Sequence, residues 1–183
     1  CDVGSYNDLK LVALDLKKKG FKAKGIVNAA GIASMNLALT TPPHLTEKII
    51  KTNLLGTIFS CQVFAPLMIR NKGGSIINFS TVAVEIGLEG ESVYVASKAG
   101  VEGFSRSFAR EMSNFNINVN CVAPGPIDTD LTKYVDKNLI KKVIEKQIIK
   151  KEFKPEDVTN IVEFLLSPQS NTITAQTLYI GGV

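Results

Sequence analysis

Tyr94 and Lys98 stand four residues apart in the run Tyr94-Val95-Ala96-Ser97-Lys98-Ala99-Gly100. On a helix, that spacing puts both side chains on one face, one turn apart. A phenol with a pKa of about 10 is a poor acid or base near neutral pH without help. A neighbouring ammonium favours the phenolate and so lowers that pKa. A fall of about three units corresponds to roughly 4 kcal/mol of differential interaction, which a desolvated site beside a cationic ring could supply. The pair therefore suits proton transfer by a tuned tyrosine. The same spacing also fits an ordinary helix with Tyr94 on its core side and Lys98 in water.

Other residues fall into order around this pair. Thr81 lies thirteen residues before Tyr94, with Ser80 beside it. Asn53 sits in Thr52-Asn53-Leu54-Leu55-Gly56, and Asn28-Ala29-Ala30-Gly31 closes an apolar run. Pro124-Gly125-Pro126-Ile127-Asp128-Thr129 follows another such run, and Ile173-Thr174-Ala175-Gln176-Thr177 lies near the C-terminus. In type, order and spacing these segments resemble the short-chain dehydrogenase/reductase family along the whole chain.

The resemblance implies an α/β fold, a Rossmann-type doubly wound parallel sheet, and an oxidoreductase using NADP, with NAD kept open. Tyr94 would give the proton to a carbonyl oxygen as hydride arrives. Lys98 would hold the nicotinamide ribose and depress the tyrosine pKa. Thr81 would hydrogen-bond the substrate oxygen, and Asn53 would hold, through a water, a proton path behind the lysine. Asp2 and Val3 would meet the adenine. Asn28, Ala29 and Gly31 would line the cofactor, together with Pro124 and Gly125, and Ile127 and Thr129 would meet its carboxamide. No metal is implied. For Asn53 a plainer role is satisfying backbone within a buried helix, although Asn is only a moderate helix former.

Three positions depart from the family pattern. Thr81 stands where a serine is usual; its hydroxyl makes the same hydrogen bonds, while its β-methyl restricts χ1. Strand alternation points Ser80 to the opposite face, which favours Thr81. Ala175 and Ile180 replace the usual glycine and aspartate near the C-terminus. The T-G-x-x-x-G-x-G turn, which sets pyrophosphate against a helix N-terminus, does not occur in the 183 residues. Residues 1–183 are thus expected to form one domain, roughly the C-terminal three quarters of the family's fold, without its N-terminal βαβ portion.

The elements that must position these groups follow from periodicity and punctuation. Ser5-Tyr6-Asn7-Asp8 has capping-box form, with Leu9, Val12, Ala13 and Leu16 at helical spacing and a stop at Gly20. Cys1-Asp2-Val3 reads as a strand end. Gly25 to Asn28 reads as a buried strand, and a long helix follows Pro42-Pro43 with Asn53 in its middle. Ser75 to Ser80 and Ile117 to Ala123 read as strands, and a second long helix runs from near Tyr94 to Met112. A Lys-rich amphipathic stretch covers Asp136 to Lys151, a helix opens at Pro155, and Thr177 to Ile180 reads as a last strand. Strands alternating with helices argue for a parallel sheet covered on both faces.

Composition narrows the function. The net charge of +4 comes without a basic block interleaved with aromatics, which argues against nucleic acid. The modest lysine excess would suit an acidic or phosphorylated carrier. Cys1, Cys61 and Cys121 lie far apart, as in a reduced intracellular protein. His44 is the one histidine, which removes His-based triads and zinc clusters. It is expected on the surface near a helix start. No run reaches the roughly 18 apolar residues of a membrane span, and no targeting segment is visible.

Within the family, Thr52 to Thr57, Gly87 to Tyr94 and Pro124 to Lys133 are most similar to reductases of 3-oxoacyl groups on acyl-carrier protein. The expectation is NADPH-dependent reduction of a 3-oxoacyl thioester in fatty acid synthesis, in the cytoplasm or mitochondrial matrix. The protein would be a homotetramer or homodimer through the two long helices, where Ala96, Ala99, Gly100 and Gly103 permit close approach. Reduction of another carbonyl substrate, or a truncated subunit without catalysis, are the alternatives.

Overall fold

The computed structural model describes residues 1–129, 132, 135 and 137–183. Four parallel strands form one sheet: β1 (Gly25–Asn28), β2 (Gly74–Phe79), β3 (Ile117–Ala123) and β4 (Thr177–Tyr179), paired in that order. Seven α-helices accompany them among the described residues: α1 (Tyr6–Lys18), α2 (Pro43–Ile49), α3 (Gly56–Arg70), α4 (Ala83–Ile86), α5 (Ser92–Met112), α6 (Lys137–Lys146) and α7 (Pro155–Leu166). Consecutive side chains of a strand leave opposite faces, so β2 builds two cores. Ile76 packs with Ala13, Cys61, Met68, Phe108 and Met112 from α1, α3 and α5. Ile77 packs with Val122, Phe153, Val158 and Leu165 on the α7 side. A sheet buried on both faces explains the near-continuous apolar reading of β2 and β3.

Local signals act as the sequence predicts at most ends. The Ser5 hydroxyl accepts from the Asp8 amide at 3.3 Å and caps α1, and Gly20 leaves it with φ 68°. His44 lies exposed in the first turn of α2. β2 ends at Phe79 and β4 at Tyr179, one residue earlier than the sequence suggests, and α5 begins at Ser92. Asp136, the expected start of the Lys-rich helix, lies outside the described residues, as does Lys133.

Three differences are larger. Cys1 to Val3 form no strand; the Asp2 side chain accepts from the Gly4 amide at 2.8 Å and its carbonyl from Ser5, making a turn into α1. The helix after Pro42 is not uniformly α, since Ile50–Leu55 form a π-helical turn between α2 and α3, with Asn53 inside it. By length and average composition Pro43–Arg70 could span a membrane, although it holds no unbroken apolar run of that length, and half of its apolar stretch is buried within the domain, the position of a core helix. Finally, Ala175 holds φ 60°, a left-handed conformation that glycine adopts without strain.

Candidate active site

The candidate groups gather where α5 crosses the end of β2. Lys98 and Tyr94 are both buried, so neither behaves as a surface side chain. The Lys98 ammonium donates to the Phe79 carbonyl at 2.9 Å and lies 5.9 Å from the centre of the Tyr94 ring. Thr81, two residues beyond Phe79, lies beside the phenol and draws its pKa down, while the Thr81 hydroxyl accepts from the Ala83 amide at 3.2 Å. Ser80 is separated from this task, because its hydroxyl donates to Glu102 Oε1 at 2.5 Å. A hydroxyl has one proton to donate, so Thr81 is the residue able to serve a substrate oxygen.

The electrostatics reverse the sequence expectation for Tyr94. Burial pushes its pKa up to about 12, the nearby Glu91 carboxylate adds to this, and the Thr81 hydrogen bond opposes it. The Lys98 ammonium turns one donor to a backbone carbonyl rather than to the phenol, and it is not among the groups that shift the tyrosine. Burial likewise pushes Lys98 down to about 8, with Cys121 opposing. Tyr94 therefore keeps its proton in the site as it stands, and is a weaker acid there than a free tyrosine.

Asn53 is fully buried, and its carboxamide is occupied. Oδ1 accepts from the Ile32 amide at 2.8 Å, while Nδ2 donates to the Ile32 carbonyl at 2.9 Å and to Ser97 Oγ at 3.0 Å. The side chain thus pins the loop after β1 to α5. A π-turn at such a residue is a common device for aiming a side chain.

A cavity of about 640 Å³ opens above these groups at the carboxyl ends of the strands. Ala29, Gly31, Pro124, Gly125, Ile127 and Thr129 all line it, beside Tyr94, Lys98 and Thr81. Gly31 leaves a cradle here: a Cβ on it would stand 3.4 Å from both Lys98 Nζ and Asn53 Oδ1. An ammonium has three donors, and Phe79 takes one, so the cradle suits the hydroxyls of a ribose. The residues present fit the nicotinamide-ribose end of the expected cofactor.

Three expected contacts lie elsewhere. Asn28 faces Asn78 directly in the parallel pair and donates to its Oδ1 at 2.8 Å, under α3 rather than into the cavity. Val3 packs over Gly56, and with Asn28, Ala30 and Thr52 it borders a separate small cleft. Asp2 turns back on Gly4. The sequence reading missed Glu102, a charged helix residue that looks solvated, and also the apolar face of α6, where Leu139 and Val143 wall the cavity. The amphipathic period of α6 was the available signal for the latter.

A parallel sheet covered on both faces, with a buried tyrosine acid one turn from a buried lysine at the strand ends, defines a Rossmann-type oxidoreductase. The chain belongs to the short-chain dehydrogenase/reductase family, and residues 1–182 match the family described as enoyl-(acyl carrier protein) reductase. It is 38% identical over 181 residues to the 3-oxoacyl-[acyl-carrier-protein] reductase FabG of Chlamydia pneumoniae, covering 99% of this chain and 73% of that protein. It is 37% identical over 182 residues to carbonyl reductase family member 4 of Xenopus laevis, covering 100% of this chain and 75% of the relative. The fold matches that of a gluconate 5-dehydrogenase from Burkholderia cenocepacia solved with NADP and tartrate. There the TM-score is 0.94 at 22% identity, over 100% of this chain and 72% of that one.

Proposed function

We propose that this chain carries out the NADPH-dependent reduction of a 3-oxoacyl thioester, borne on acyl-carrier protein, to the 3-hydroxyacyl thioester of fatty acid synthesis. The observation behind this reading is a protonated, buried Tyr94 beside the Thr81 hydroxyl in a cavity walled by Met35, Val82, Leu88, Leu139 and Val143. Such a wall suits an acyl chain, and Lys142 and Lys146 at its edge suit an anionic carrier arm. The Chlamydia relative, a 3-oxoacyl-[acyl-carrier-protein] reductase, supports the same substrate, and the NADP held by the Burkholderia neighbour supports a nicotinamide cofactor.

The residues divide the work by position. Thr81 donates a hydrogen bond to the carbonyl oxygen, fixing it beside Tyr94 and stabilising the negative charge that develops there. Tyr94 gives its phenolic proton to the same oxygen. Lys98, anchored by Phe79, would hold the ribose over Gly31. The apolar wall keeps water from the reacting carbonyl. When bound, the nicotinamide supplies the hydride that reduces the carbonyl carbon.

The protein would act as a homotetramer or homodimer through α3 and α5, in the cytoplasm or mitochondrial matrix. Ala96 and Gly103 are exposed for such an approach, whereas Gly100 is already packed against Leu54. The deciding experiment follows NADPH and NADH oxidation with acetoacetyl thioesters, steroid ketones and keto-sugars. Fastest turnover of the thioester with NADPH is expected; turnover of a sugar or steroid ketone without the thioester would overturn the reading.

A further inference from the structure

Three rungs join α5 to the end of β2, and the third touches no substrate. Tyr94 meets Thr81, Lys98 bonds the carbonyl of Phe79, and Glu102 accepts from the Ser80 hydroxyl at 2.5 Å. Residues 94, 98 and 102 form one stripe at four-residue spacing on the helix. Residues 79, 80 and 81 are consecutive, so each residue at the strand's end is engaged by its own residue of α5. Glu102 is 4% exposed, a depth at which carboxylates are rarely found without several partners. Its other partners are the Tyr179 hydroxyl of β4, 3.1 and 3.0 Å from its two oxygens, and Arg106 Nη1 at 3.7 Å.

Two further bonds hold α5 on either side of Glu102: Asn78 Nδ2 of β2 donates to Ser105 Oγ at 2.8 Å, and Asn53 Nδ2 to Ser97 Oγ at 3.0 Å. The large buried anchors of α5, Phe108 and Met112, lie further along the helix, while the buried positions near Tyr94 are Ser97 and Val101. Apolar packing is non-directional, whereas hydrogen bonds fix how far a helix sits along a strand.

We infer that Glu102 is a positioning residue for the reduction: through Ser80 it fixes the register of α5 on β2 and so aligns Tyr94 and Thr81 on one carbonyl oxygen. The inference rests on the reading that Tyr94 and Thr81 are the reacting pair.

Glu102→Ala and Ser80→Ala should each lower kcat about tenfold with KM within about twofold, since small misplacements of reacting groups are costly. The double variant should be no worse than either single one, because both cut the same bond. Glu102→Gln keeps a carbonyl to accept from Ser80 and an amide to donate to Tyr179, and should stay within about threefold of the parent. A substrate-free readout accompanies these: nuclear magnetic resonance titration of isotope-labelled lysines. Lys98 should titrate near 8 in the parent and in Glu102→Gln. It should move up toward the ordinary lysine value in Glu102→Ala and Ser80→Ala, as a slipped helix admits water.

If no thioester is turned over, the substrate reading fails, and the lysine titration still decides the register. The inference is overturned if kcat and the Lys98 titration are unmoved in folded Glu102→Ala. Should that variant fail to fold, the same result in Ser80→Ala overturns it. Single losses that multiply in the double variant would also do so.

Discussion

Lys98 gives its ammonium to the Phe79 carbonyl, 2.9 Å away, and not to the phenol of Tyr94 one turn earlier on the same helix. The lysine thereby ties α5 to the strand end that carries Thr81. The tyrosine stays buried and protonated, its pKa pushed up to about 12. The proton needed for carbonyl reduction is thus present on Tyr94, although the raised pKa makes the phenol a weaker acid until the site lowers it.

The Thr81 hydroxyl lies beside the Tyr94 phenol, whereas the proton of Ser80 is committed to Glu102. Thr81→Ser should keep activity within about threefold, since the same donor remains. Thr81→Val should cost about 100-fold in kcat, the scale of losing one donor to a developing oxyanion. Steady-state kinetics decide it: a Ser80→Ala loss larger than that of Thr81→Val would place the strand's register one residue off.

Lys98 makes stability depend on pH in a stated direction. Its folded pKa is lowered from 10.5 to about 8. Between those values the folded protein has released a proton that the unfolded chain still holds. The unfolded state binds more protons there, so stability rises with pH across that window. In urea denaturation of the unliganded protein, the parent should gain on Lys98→Met from about pH 8 to 10.5. A constant difference between the two would mean that Lys98 is not desolvated.

Among the described residues β1 pairs only with β2, leaving its other edge open. Val27 on that strand is 42% exposed, and Leu11 on α1 and Phe21 just after it are 68% and 57% exposed. Open edges beside apolar surface invite pairing with other chains. Residues 1–183 as an isolated polypeptide should self-associate at micromolar concentration, and Val27→Lys should reduce this. A monomer by sedimentation would contradict this account of the edge.

The parts of the fold that were legible in the sequence are those with local punctuation. Ser5 and Asp8 mark the start of α1, and glycines bound the apolar runs of β1 and β2. Thr81, Tyr94 and Lys98 do converge, because a four-residue helical spacing and a strand end leave little freedom. The π-turn around Asn53 was not legible, since one extra residue in a turn hardly alters an apolar pattern. Nor was the direction in which Asn28 points, because alternation gives two faces without saying which one holds Asn78. The upward shift of Tyr94 depends on burial and on the approach of Glu91, and neither leaves a mark in residue types. Glu102 reads as a solvated charge until the chain is folded.

Tyr94→Phe tests the central claim most directly. It removes the proton donor while leaving the ring, the Lys98–Phe79 bond and the Gly31 cradle in place. Turnover of a 3-oxoacyl thioester should fall by about 10²–10⁴-fold, the usual contribution of a positioned general acid. Binding of the dinucleotide, measured by calorimetry on the same preparation, should change by less than about twofold, since the change removes little cofactor contact. Turnover close to that of the parent, with the variant folded and cofactor bound, would contradict the assignment of Tyr94 as the acid.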